Sequence, residues 1–298
     1  MSPIPNLRRA VIAGLCLGTA ILAQDPLARV TVALVKPGDP NAADAERAAP
    51  FLRRLEAALA EHVPAFAGAT VSARLCDDAA EAAELLAERP TRLAIVPPGF
   101  YLAHAEDADL RLRVVASVPR LGAVTERYRL VTRRGANAPA DLQALHDETV
   151  AIQGWPDPRY LRRVVFATDA EELPFELVPT RNLADTVFDL VEPEPDADGP
   201  AAILVDDAQF RFLERDELVW PELKVVWSSA ELPRDLVVAC GRDWDDSAVA
   251  KLRTALLAFD DHDQGREVLK LMGSPGFAQP DTDRLVAATR HAPAVTSQ

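Results

Sequence analysis

Short apolar runs and amphipathic helical stretches alternate along most of this chain, and that alternation limits the folds open to it more than any other feature. Residues 30–35, VTVALV, form a run too short for a buried helix, and Lys36-Pro37-Gly38-Asp39-Pro40 turns the chain at its end. Phe51, Leu52, Leu55, Ala58, Leu59 and His62 then recur at helical spacing, with Arg53, Arg54 and Glu61 on the other faces. Strands follow at 71–75 and 93–96, separated by an Ala-rich helix at 77–88 whose first residues, Asp77 and Asp78, suit a helix N-terminus. Repetition of this kind predicts a parallel sheet covered by helices on both faces.

The pattern continues with strands at 112–118, 127–132, 149–152, 175–178, 202–205, 223–227 and 235–240. Helices are expected at 182–191, 208–213, 245–259, 264–272 and 282–289. Within 125–165 a strand, a short helix over 138–147, a second strand and a further helix are packed close together. The last of these helices starts just after a strand end at Gln153-Gly154, so its free N–H groups would face whatever lies beyond that end.

At the start, Arg8-Arg9 precede an apolar run over 10–23, the length of a signal-peptide core and short for a membrane span. Cleavage after Ala23 and export to the periplasm are expected. Cys16 follows Leu15 where lipoprotein processing wants a small residue, so lipid anchoring is not expected. The formal net charge of −14 opposes binding to phosphate backbones, which argues against nucleic acid as a partner. Beyond the leader only Cys76 and Cys240 remain, too few for a disulfide scaffold, although an exported chain could join them.

Enzyme signatures are missing. The sequence holds no GxSxG, no phosphate loop ending in Lys-Ser/Thr, no HExxH and no CxxC, and its five His are scattered at 62, 104, 146, 262 and 291. Asp260-Asp261-His262-Asp263 reads as a solvated junction between helices rather than a metal cluster, and EPEPDADG at 192–199 as a surface insert. No catalytic residue, cofactor or metal is expected.

Several short stretches, in order, resemble the phosphate- and phosphonate-type periplasmic substrate-binding proteins of ABC transporters. They are Val96-Pro97-Pro98-Gly99-Phe100-Tyr101, Tyr128-Arg129-Leu130-Val131, Ala140-Asp141-Leu142, Thr149-Val150-Ala151-Ile152, Val205-Asp206, Val226-Trp227-Ser228-Ser229 and Leu232-Pro233-Arg234-Asp235. The resemblance implies a type 2 periplasmic binding protein fold: two α/β lobes, each a mostly parallel sheet flanked by helices, joined by two hinge crossovers. Residues 24–125 and 233–298 would build the first lobe and 126–232 the second. A monomer closing on a small-molecule solute and docking on a transporter permease is the implied behaviour. A sensor presenting its closed form to a membrane partner, an enzyme on the same fold and a degenerate receptor are the alternatives.

The candidate ligand-binding residues are Lys36, Tyr101, Tyr128, Trp155, Asp157, Arg159, Tyr160, Asn182 and Asp206. Tyr101 matches a tyrosine that faces the ligand in the family, and Asp206 an aspartate near a bound amine or hydroxyl. The loop 154–160, GWPDPRY, departs from the family's Ser/Thr/Gly run, which holds phosphonate oxygens. Its two prolines remove N–H donors, Tyr160 carries its only hydroxyl, and Asp157 would repel a dianion. Arg159 could supply a bidentate fork and Trp155 a stacking face; equally, Asp157 could cap the helix with Pro158 in its first turn. Lys36 and Arg159 favour an anion, whereas Asp157, Asp206 and Trp155 suit an amine.

Overall fold

The structure is a computed structural model and describes residues 28–37, 45–135, 138–154, 156–192 and 199–289. The expected leader, Trp155 and most of the acidic insert lie outside the described residues.

The chain runs β1 (Arg29–Val35), α1 (Ala45–His62), β2 (Thr70–Cys76), α2 (Ala79–Ala87), β3 (Thr91–Val96), α3 (Pro98–His104) and β4 (Arg113–Ser117). It continues with β5 (Thr125–Glu126), β6 (Arg129–Arg133), β7 (Thr149–Gln153), α4 (Pro158–Tyr160), β8 (Glu176–Thr180), α5 (Leu183–Val191), β9 (Ala202–Val205), α6 (Asp207–Glu214) and β10 (Leu223–Ser228). Last come β11 (Leu232–Pro233), β12 (Leu236–Ala239), α7 (Asp246–Leu257), α8 (Asp263–Leu271) and α9 (Thr282–Thr289).

Two five-stranded sheets result, in the orders β2-β1-β3-β12-β4 and β10-β6-β9-β7-β8. In the first, β12 alone runs against its neighbours; in the second, β6 alone does so. Both reversed strands are those that enter a lobe directly from a crossover. The other strands are laid down by strand-helix-strand units, which keep their direction. The crossovers themselves meet as a two-stranded antiparallel ribbon, with Leu232 opposite Glu126 and Pro233 opposite Thr125. The expectation of two lobes with mostly parallel sheets and two hinge crossovers is borne out.

Period-2 alternation explains how each sheet is covered on both sides. Val30, Val32 and Leu34 of β1 join one core with Leu55 and Leu59 of α1 and Leu252 and Leu256 of α7, while Ala33 and Val35 join the opposite core with Leu85 and Leu86 of α2. In the second lobe Val150 and Ile152 face one core and Ala151 the other.

Two local expectations are corrected. The helix anticipated over 138–147 is a single 3-10 turn at Gln143–Leu145, because Asp141 turns the chain by accepting from the Gln143 and Ala144 N–H groups. The helix after β7 is one turn, continued as the π-helical segment Leu161–Val165. Cys76 and Cys240 are both buried free thiols, separated in the sheet by β1 and β3.

Candidate functional site

A cleft of about 660 Å³ lies between the lobes at the carboxyl ends of their parallel strands, where open α/β sheets bind ligands. Lys36, Asp77, Asp78, Gly99 and His104 line it from the first lobe, and Tyr128, Gln153, Asp157, Tyr160 and Gln209 from the second. Glu126 and Asp235, one from each crossover region, line it as well.

The cleft brings together four of the nine candidates: Lys36, Tyr128, Asp157 and Tyr160. Lys36 follows β1 and its Nζ lies 2.5 Å from Asp235 Oδ2. Asp157 caps α4, its Oδ1 accepting from the N–H groups of Arg159 at 2.7 Å and Tyr160 at 3.2 Å. Those are the donors the sequence offered to a ligand anion, so the protein's own carboxylate takes that place. Tyr160 is 6% exposed, and among the described residues its hydroxyl has no hydrogen-bond partner.

The other candidates are placed elsewhere. Tyr101 is half-buried and packs against the cores of both lobes rather than on the cleft wall, because α3 turns its Gly99, Phe100 and His104 toward the opening instead. Arg159 lines a separate groove with Glu171, Glu172 and Phe175. Asn182 caps α5 by accepting from the Ala184 N–H, and its amide donates to Asp185. Asp206 caps α6 in a reciprocal box: it accepts from Ala208 and Gln209, while the Gln209 side chain accepts from the Asp206 N–H. Gln209 in turn donates to Gln153 at 3.1 Å, which brings both amides to the cleft.

The residues that the sequence reading missed are Glu126, Gln153, Gln209, His104 and Asp235. Glu126 is the most unusual of them. Its side chain is 12% exposed, and among the described residues it pairs with Arg234, whose Nη1 is 3.2 Å away. Burial, with the nearby Asp206 charge, pushes its carboxyl up to about 8 despite the opposing Arg234. Asp235 goes the other way: burial would raise it, but Lys36, Arg120 and Arg234 together hold it below the usual carboxylate range. Burial raises the hydroxyls of Tyr128 and Tyr160, with the Glu126 charge adding to each. His104 is lowered by burial, which Asp107 and Asp157 oppose. Among the described residues no cluster of His, Cys, Asp or Glu could hold a metal ion.

A cleft between two α/β lobes joined by a double crossover is the fold seen in two-lobed periplasmic binding proteins. Within it, residues 181–285 match the family model described as the periplasmic substrate-binding protein of phosphonate ABC transporters, which bears out the likeness read from the sequence. A Xanthomonas citri protein solved with chloride superposes with a TM-score of 0.66 at 14% identity, over 88% of this chain and 96% of its own. A binding-protein component of a phosphonate transporter from Pseudomonas aeruginosa gives 0.60 at 14% identity, over 87% of this chain and 84% of that one. PhnD1 from Prochlorococcus marinus, solved with methylphosphonate, gives 0.60 at 11%, over 88% and 97%. No curated protein matches.

Proposed function

We propose that the protein is an exported solute-binding protein that captures a small polar solute between its lobes and delivers it to a transporter permease. The phosphonate class is the starting point for the solute. The observation that carries this reading is the cleft itself: it draws side chains from both lobes and from both crossovers, so a solute in it bridges every part that moves when the hinge closes. The family match over 181–285 supports the same reading, and together with the expected leader it supports a periplasmic location. Capture of this kind makes and breaks no bond.

The test is a thermal-shift screen of the purified protein against phosphate, alkylphosphonates, aminophosphonates, sulfate, amines and amino acids. A solute at a hundred times its dissociation constant adds about 2.7 kcal/mol to folding stability. A shift with at least one small solute supports capture, and its absence across the panel rejects it.

A further inference from the structure

We propose that the first lobe holds a second, smaller site for a short-chain aliphatic carboxylate, its chain in an apolar pocket beside the cleft and its carboxylate on Arg120. The site is independent of solute capture: among the described residues, those that line it belong to the first lobe or to the crossovers where they join it. With the cleft it shares Lys36 and Asp235, and it takes nothing from the second lobe.

Strand alternation builds the wall. Leu34 of β1 and Ile95 of β3 are buried in the same core, and Leu75 of β2 and Phe51 of α1 pack against that core from its margin. Met272, just past α8, joins them, and its flexible thioether can follow the shape of a guest. Together they border a pocket of about 330 Å³, at the small end of the range for ligand sites. These side chains offer no hydrogen bond. A cavity walled in this way holds water poorly, so an alkyl chain that enters it gains contacts and displaces little.

The mouth comes from the next step along the same strands. Lys36 lies two positions beyond Leu34, and Arg120 two beyond the buried Val118, so each brings its charge to the place where the apolar wall ends. The Val118 N–H donates to the Asp235 carbonyl at 2.8 Å, which fixes Asp235 beside them.

Two cations therefore face one carboxylate. Lys36 Nζ is 2.5 Å from Asp235 Oδ2, and Arg120 Nη2 is 3.6 Å from the same oxygen. The second distance is beyond hydrogen-bond reach, and among the described residues the Arg120 guanidinium makes no hydrogen bond, although its side chain is only 38% exposed. One positive charge is left over at the mouth, on a planar fork whose geometry matches a carboxylate. An amine would meet Lys36 and Arg120 instead, and a dianion would carry more charge than this mouth offsets.

The experiment is calorimetric titration of the purified protein with hexanoate, with acetate and hexanol as probes of the head and the chain taken separately. Hexanoate is expected to bind about tenfold or more tightly than either, because acetate leaves the pocket empty and hexanol leaves Arg120 unpaired. Arg120→Gln, outside the cleft lining, should weaken hexanoate by about tenfold. Gln153→Ala, which alters the cleft and not this pocket, should leave hexanoate affinity as it is. No hexanoate binding at millimolar concentration, an affinity no better than that of acetate or hexanol, or full affinity in Arg120→Gln overturns the site. Hexanoate binding that is lost in Gln153→Ala places the acid in the cleft and overturns it as well. Solute capture is judged by its own screen, whose panel contains none of these three probes.

Discussion

Tyr160 of the second lobe lies directly against Gly99 of the first: a Cβ placed on Gly99 would fall 2.9 Å from both Cβ and Cγ of Tyr160. The near end of a side chain cannot swing away as its tip can, so the two lobes meet here only because residue 99 has no side chain. Gly99→Ala therefore wedges the cleft open. Solute affinity is expected to fall about tenfold, while fold stability changes by no more than about 1 kcal/mol because Ala suits a helix better than Gly. Titration together with small-angle scattering, which should show a larger radius of gyration, checks this.

Tyr160→Phe separates binding from folding. Removing a buried hydroxyl that has no partner among the described residues should leave stability unchanged or raise it by about 1 to 3 kcal/mol. Denaturant melts of the unliganded protein measure it, and a loss of several kcal/mol would show that the hydroxyl is bonded within the fold.

Glu126 sets a pH dependence whose sign follows from its raised carboxyl. Between about 4.5, its ordinary value, and about 8, the folded protein holds a proton that the unfolded chain has released. Its contribution is fully present below pH 4.5 and is lost as pH rises through 8. Asp235, held low by Lys36 and Arg120, acts in the opposite direction and loses its contribution as pH falls into the acid range. Glu126→Gln is expected to flatten stability between pH 5 and 8 compared with the parent. Melting temperatures across that range decide the matter, and equal slopes in the two proteins would remove Glu126 from the account.

Asp157→Ala exposes the donors of α4. Loss of the cap should cost about 1 kcal/mol, while the N–H groups of Arg159 and Tyr160 become available and one negative charge leaves the cleft. Phosphonate affinity should rise as amine affinity falls, which titration of both ligand types on this variant reads directly.

Much of the fold was legible in the sequence because period-2 runs such as 30–35 and 149–152 need burial on both faces, and only helix-covered sheets give it. The caps were legible too: Asp157 before Pro158 and Asp206 before α6 carry local signals that need no tertiary information. Glu126 and Asp235 were not legible as cleft residues. They lie more than a hundred positions apart and meet only through the crossover ribbon, and nothing near either one marks a carboxylate as buried. An acid two residues before Tyr128, in a crossover too short to hide it by accident, was the available hint. Tyr101 misled because a short helix presents alternate sides: with Gly99 and Phe100 at the opening, the next residue points back toward the cores.

Closure of the lobes on a solute is the central claim, and the most direct test is the distance between them. Spin labels on E84C of α2 and D189C of α5, both exposed positions one in each lobe, leave the buried native thiols untouched. The expected result is a longer or broader distance distribution without solute and a single shorter one with any solute that raises the melting temperature. An identical distribution in the two conditions would contradict capture by closure.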